Sequence, residues 1–390
     1  MTPAARTQAA IELLDEVIAA ARGGGAAADT LIARYFATRR YAGSKDRRAV
    51  RELVYAAIRR AGEIPASGRA AMLAVAADDA ELAARFDGST HGPAPIDPDE
   101  APASGGVMPA WLAEALSASG IAADQQAALI DRAPLDVRVN RLLADPQALA
   151  DQLGGTPIPG LPDALRLPAG TNLDPLAGQV EVQDAGSQIV SRAARAAPGQ
   201  SVIDLCAGGG GKTLALAAAM ANDGRILATD IDRARLSRLI PRATKAGVTI
   251  VEPRLLDPQR EDEALADWQD TADCVLIDAP CSGTGTWRRN PEARWRLTPD
   301  RLRRVAEQQR HVLSVGAPLV RPGGALVYIV CSLLDAEGRD QVDAFLADHP
   351  DWTAEPLDLP AGTRHGHGLR LDPASHGTDG FFVARLIRPC

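Results

Sequence analysis

Two cysteines, an aspartate and a lysine stand where their chemistry could be used. In residues 275–283 (VLIDAPCSG) and 326–332 (LVYIVCS) a thiol, Cys281 or Cys331, falls just beyond a strand-like apolar run. A third run, residues 202–213 (VIDLCAGGGGKT), passes through four glycines to Lys212. Glycines between a buried strand and a helix let the backbone come close to a ligand. Thiols past a strand end, near helix N-termini, are accessible and biased towards the thiolate, whereas Cys274 inside its run reads as inert packing. Two thiols and one carboxylate, Asp278, suit methylation of a pyrimidine at C5. That carbon is a poor nucleophile, so a thiolate must first add to C6. A donor must meet the charge that builds at N3 and O2, and a base must then remove the C5 proton so that the thiol can leave.

The glycine turn admits three nucleotide-site readings. A phosphate-binding loop needs G-x-x-x-x-G-K-[ST]; Gly211, Lys212 and Thr213 fit its end, but Cys206 occupies its first position. A dinucleotide site needs G-x-G-x-x-G, and the register of Gly208 and Gly210 puts Thr213 where the third glycine belongs. An adenosyl cofactor without phosphates fits better. Asp230, in residues 227–232 (LATDID), ends the next run as an acid for ribose hydroxyls; Asp257 follows the third run, placed for an adenine amino group, and Asp278 ends the fourth.

These groups need a frame that gathers strand ends. From residue 180 onwards strand and helix patterns alternate, the signature of a doubly wound sheet whose strand ends form a ligand crevice. Strands are expected at 201–205, 225–229, 249–252, 274–278, 325–330 and 381–386, the last returning antiparallel, with helices at 212–221, 233–246, 299–319 and 336–347. Residues 1–85 are Ala-rich with apolar positions at helical spacing, and residues 86–109 (FDGSTHGPAPIDPDEAPASGGVMP) read as a linker. Residues 110–178 read as a small α+β subdomain with a strand at 137–140, and 179–390 as the catalytic domain.

Five cysteines (206, 274, 281, 331 and 390) show no metal-ligand spacing, and in a chain without an evident secretory signal they are expected to be reduced thiols. No apolar run is long enough to span a membrane. A cytoplasmic monomer holding no metal is the expectation. The net charge of −8 hides local asymmetry. Arginines 34, 39, 40, 47, 48, 51, 59 and 60 with Lys45, against only Asp46 and Glu52, give a strongly positive stretch interleaved with Tyr35, Phe36, Tyr41 and Tyr55, a pattern expected of a phosphate-binding face.

The motifs DLCAGGGGKT, ATDID, LIDAPCSGTGTWRRNPEARW, GGALVYIVCS and GTDGFFVARL, in that order, resemble the RsmB/Nop2/Sun family of RNA cytosine-C5 methyltransferases. The resemblance covers residue 180 to the C-terminus and extends more weakly to the helical N-terminus. It implies an α/β fold of the class I S-adenosylmethionine-dependent type: a Rossmann-like, mostly parallel seven-stranded sheet, preceded by an all-α NusB-like domain and a small α+β RNA-binding subdomain. It implies S-adenosylmethionine at Cys206, Ala207, Gly208, Gly209, Gly210, Gly211, Lys212, Asp230, Asp257 and Asp278. Cys331 would be the nucleophile and Cys281 would assist release, with Asp278 on the target cytosine and Lys212 near the reaction. Gly208-Gly209 stand where the family often has Ala-Pro, which loosens the turn.

RNA is the implied partner, 16S rRNA first and tRNA as the alternative. A non-catalytic RNA-binding assembly factor is the reading from another class, and attack by Cys281 instead of Cys331 is the alternative within the chemistry. Arg288, Arg289, Arg294 and Arg296, punctuated by Trp287 and Trp295, are expected to face RNA, with the aromatics supporting a displaced base.

Overall fold

The computed structural model describes residues 1–390. They form two compact units, residues 1–132 with 286–298, and residues 133–285 with 299–390.

The first unit is helical. Thr2 caps the helix Pro3–Gly23 by accepting the Ala5 N–H at 3.1 Å, Pro3 supplies the preset first turn, and Gly24 closes it at φ 74°. Its face of Leu13, Leu14, Val17 and Ile18 packs with Val50, Val54 and Ile58 of the helix Ser44–Arg60 and with Met72 of the helix Gly68–Ala76. Asp46 holds the start of Ser44–Arg60 by accepting the Gly43 N–H, and it also binds Arg6 and the chain's amino terminus.

Residues 86–109 are irregular, as read, but they do not link two bodies. They run back over the same helices, with Arg69 paired to Glu100, Ala103 N–H on Ala70 O and a bridge between Ala61 and Gly105. The helices Ala110–Ala118 and Ala123–Ala128, expected in the next subdomain, also belong to this unit, whose boundary falls at residue 132 and not at 109.

The RNA-facing expectation for residues 287–296 is corrected here. Trp287 and Arg294 are fully buried, and Trp295 and Arg288 nearly so. Arg294 donates to Ile58 O at 2.6 Å and Ala61 O at 2.8 Å, the Trp295 indole also donates to Ala61 O, and Glu292 accepts the Ala28 N–H that opens the helix Ala28–Ala37. Arg296 is occupied by the carbonyls of Gly25 and Ala26, and Arg289 is half-buried. A guanidinium with five donors serves several carbonyls at helix ends, which is what this segment does. Tyr35, Phe36 and Tyr55 are likewise core residues that carry arginines on their outer faces, Arg39 at 3.5 Å over Tyr35; only Tyr41 is open to solvent.

In the second unit the strands are β1 Leu135–Val139, β2 Thr156–Ile158, β3 Leu161–Leu167, β4 Val180–Val182, β5 Ser201–Asp204, β6 Arg225–Asp230, β7 Val251–Leu255, β8 Ala272–Asp278, β9 Val320–Val330, β10 Thr353–Glu355, β11 Thr363–His365, β12 Gly368–Leu371 and β13 Phe381–Ile387. The first four make an antiparallel sheet in the order β2-β3-β1-β4. The rest form one sheet, β11-β12-β13-β9-β8-β5-β6-β7 with β10 paired to β13, in which β5 to β9 are parallel. β13 returns antiparallel against β9, as expected. The sheet has nine strands instead of seven, because the three-residue strands β10 and β11 extend its antiparallel edge.

Arg294→Ala would strip several helix-end carbonyls of a buried donor. It should lower stability by about 3 kcal/mol in urea unfolding. Arg303→Ala, on a side chain 69% exposed and paired with Asp300 on its own helix, should stay within about 0.5 kcal/mol of wild type. Equal effects would contradict this placement.

Candidate active site

β8 and β9 lie parallel with Asp278 opposite Ile329, and the Ala279 N–H donates to Ile329 O at 2.9 Å. Beyond that bond both chains leave the sheet together. Cys281 and Cys331 therefore emerge from adjacent strand ends, half-buried and free, with Sγ atoms 3.0 Å apart. The Gly285 N–H donates to Cys331 O at 3.0 Å, and a Cβ on Gly285 would strike Gly380 O, so glycine alone lets the GTDGFF stretch pack against this loop.

Lys212, at the start of the helix Gly211–Ala219, is buried with Nζ 2.7 Å from Asp278 Oδ2. Burial opposes its charge, but the Asp278 carboxylate, their hydrogen bond and the Cys331 sulfur outweigh it and raise its pKa. Lys212 is therefore an ammonium at neutral pH. The Cys281 thiol is pushed well up by its hydrogen bond to Cys331, by burial, and by the charges of Glu337 and Asp278. This reverses the expected bias towards a Cys281 thiolate. No α-helix begins behind either sulfur; the turns Thr284–Thr286 and Asp335–Glu337 are 3₁₀. Burial and three nearby carboxylates push Cys206 up as well, and burial lifts Cys274 to about 12.

Across the crevice, two of the four glycines adopt the left-handed conformation, Gly208 at φ 55° and Gly210 at φ 86°. A Cβ on Gly210 would meet Leu239 at 2.2 Å. The looseness expected from Gly208-Gly209 is offset by two bonds: Asp230 Oδ2 accepts the Gly208 N–H at 2.8 Å, and Arg242, paired with Glu181, donates to Gly209 O. Asp257 is exposed just past β7, where the Leu256 N–H donates to Asp230 O. Asp278, Lys212, Cys281 and Cys331 are thus brought together, with the glycine turn leading into the helix that carries Lys212.

The profile of the family described as 16S rRNA methyltransferase RsmB/F matches residues 193–387. The chain belongs to the RsmB/F family. It is 35% identical over 297 residues to "Probable ribosomal RNA small subunit methyltransferase B" of Synechocystis sp., covering 72% of this chain and 66% of that protein. It is 35% identical over 297 residues to "Ribosomal RNA small subunit methyltransferase B" of Sodalis glossinidius, covering 72% and 65%. The matched stretch thus spans just under two thirds of these relatives' length. Over 99% of both chains the fold superposes on the crystal structure of PH0851 with a TM-score of 0.76 at 25% identity.

S-adenosylmethionine is the cofactor of this RsmB/F chain, and the turn fits it. A Cβ on Gly211 would meet nothing within 4 Å, so backbone borders open space there, beside a carboxylate, Asp230, already fixed by two backbone N–H groups. No group of three or more His, Cys, Asp or Glu side chains is placed to hold a metal ion. No helix is long and apolar enough to cross a membrane.

Two site acids escaped the sequence reading. Glu337 is fully buried behind the cysteines, and Asp204 is fully buried at the end of β5, where Thr213 Oγ1 donates to it at 2.7 Å. An acid inside an apolar run was the available signal for Asp204. Burial pushes its carboxyl up to about 7. The folded protein therefore keeps a proton that the unfolded chain loses near pH 4, and stability should fall as pH rises from about 4 to about 7. Asp204→Asn should remove that slope. Measured by urea unfolding, the variant should gain on wild type between pH 4 and pH 8; a wild-type advantage that grows with pH would contradict the assignment.

Proposed function

We propose that this chain methylates C5 of a cytosine in RNA, with small-subunit rRNA as its target, and that Cys331 forms the transient bond to C6. The observation that carries the reading is the 3.0 Å contact between two thiols beside the ion pair of buried Lys212 with half-buried Asp278. Bound at the glycine turn, S-adenosylmethionine supplies an electrophilic methyl group. Cys206, Ala207, the four glycines, Asp230, Asp257 and Asp278 would hold it.

The chain's own groups then divide the work. The Cys331 sulfur adds to C6 and pushes an electron pair into the ring, which makes C5 nucleophilic. Lys212 and Asp278 meet the charge and protons of the N3 and O2 edge, where a buried ammonium counts for more than it would in water. Cys281 begins protonated and donates to the Cys331 sulfur. Once that sulfur is spent in the bond to C6, the largest cause of the raised Cys281 pKa is gone, so Cys281 gives its proton to solvent and the thiolate left behind can act as base. It takes the C5 proton, the ring electrons return, and the Cys331–C6 bond breaks.

The family description and the names of the two relatives support rRNA as the substrate. The RNA-facing surface falls to exposed side chains such as Arg301, Arg303, Arg304 and Arg310 of the helix Pro299–Gly316, since Arg288 and Arg294 are buried. A cytosine attacked at C6 must be unstacked, so a loop or flipped nucleotide is the substrate form.

RNA containing 5-fluorocytosine should trap a covalent adduct after methyl transfer, because no C5 proton remains to be removed. Cys331→Ala should abolish that adduct and reduce turnover by at least about 10³-fold, whereas Cys281→Ala should accumulate adduct even on ordinary RNA. Adduct from Cys331→Ala but not from Cys281→Ala would reverse the two roles. Bisulfite sequencing of rRNA and tRNA after incubation with protein and methyl donor identifies the substrate. Cytosine protected from conversion in tRNA alone would overturn the rRNA reading, and binding without methyl transfer would leave an assembly factor.

A further inference from the structure

Behind the two sulfurs lies a polar cluster sealed from solvent. Glu337 is fully buried, yet both its oxygens are occupied. Oε1 accepts the Ser282 N–H at 2.7 Å and Gln309 Nε2 at 3.1 Å. Oε2 accepts the hydroxyls of Ser282 and Ser332. Ser282 follows Cys281 and Ser332 follows Cys331, so one carboxylate is bonded to the residue after each thiol.

The surroundings hold Glu337 in turn. The Tyr328 hydroxyl donates to Glu337 O at 2.6 Å, and Tyr328 is buried within β9. Gln309 also donates to Pro280 O at 2.9 Å, so residues on both sides of Cys281 are tied to the same cluster. Thr284 extends it by accepting the Leu333 N–H at 2.9 Å and lying 3.0 Å from Ser332 Oγ. Each hydroxyl has one proton to give; Thr284 gives to Ser332, and Ser332 and Ser282 give to Glu337, so the chain of donors ends on the charge. A buried carboxylate with four donors holds both loops harder than a neutral acceptor could.

We infer that Glu337 is the positioning residue of the two-thiol site, holding the loops behind Cys281 and Cys331 so that their sulfurs stay in contact. It touches no reacting atom and acts through both cysteines. Its charge is also one of the causes that keep the Cys281 thiol protonated. The catalytic part of the inference rests on the function proposed above; the geometric part does not, and the two can be tested apart.

Oxidised glutathione reads the geometry without any RNA. One protein thiolate displaces glutathione and forms a mixed disulfide; the other protein thiol, as its thiolate, attacks the protein sulfur and releases a second glutathione. The net change is two protein thiols and one glutathione disulfide to one protein disulfide and two glutathione thiols. In the full-length protein, peptide mapping by mass spectrometry should find Cys281 joined to Cys331. Glu337→Gln has one acceptor oxygen and cannot serve four donors. It should slow ring closure by about tenfold, and Ser332→Ala, which removes one arm, by about threefold. Turnover should fall by similar factors, with KM for RNA within about twofold of wild type. Closure rates within about twofold of wild type in both variants would overturn the inference, and if Glu337→Gln does not fold, Ser332→Ala decides alone. Slowed closure in a protein whose wild type transfers no methyl group would uphold the positioning role and remove the proposed function instead.

Discussion

Parallel pairing between β8 and β9 is the constraint from which the site follows. In a parallel ladder both strands run out at the same end, so residues just beyond paired positions leave the sheet as neighbours. Asp278 opposite Ile329 fixes that register, and the sulfurs of Cys281 and Cys331 meet although fifty residues separate them in the chain. β5 beside β8 brings the glycine turn to the same end, and the helix that begins at Gly211 delivers Lys212 to Asp278. A one-residue slip of β9 against β8 would send Cys331 to the other face of the sheet and separate the thiols.

The electrostatics of this end are unusual for a protein interior. Asp204 and Asp278 lie near one buried ammonium, Asp230 acts on Cys206 and Glu337 on Cys281, and each acid is answered by a different device. Asp278 has Lys212, Asp230 has backbone N–H groups, Glu337 has hydroxyls and amides, and Asp204 moves towards its neutral form. Burial pushes the Cys206 thiol up, and the hydrogen bond to Cys331 and then burial push Cys281 up; the nearby acids add to both. Lys212 is the cation that interacts with Cys331. The two thiols are thus unequal by environment, which suits a reaction that asks one sulfur to attack and the other to hold and then accept a proton.

Much of this was legible in the sequence because its signals are local. Short apolar runs with an acid or a thiol at or just past the end located the ends of β5, β6, β8 and β9 to within a residue, and the glycines marked the turn. Other features depend on partners far along the chain. Glu337 reads as an acid in a surface turn until Ser282, 55 residues away, is placed beside it. Arginines alternating with tryptophans look the same on an RNA-facing surface and in a segment threaded among helix ends, so residues 287–296 were misread from composition. β2 and β3 were hidden by Pro157 and Pro162, and the three-residue strands β10 and β11 are too short to show a period.

Under the proposed function, two thiols in contact beside a buried ammonium make a ring carbon attack. Methylation of an exocyclic amine or a ribose hydroxyl asks for no sulfur. The most direct measurement is therefore the position of the methyl group: incubate the protein with small-subunit rRNA and S-adenosylmethionine, digest to nucleosides and separate them by liquid chromatography with mass detection. The account predicts 5-methylcytidine as the product. N4-methylcytidine, a 2′-O-methyl nucleoside or a methylated purine would contradict it.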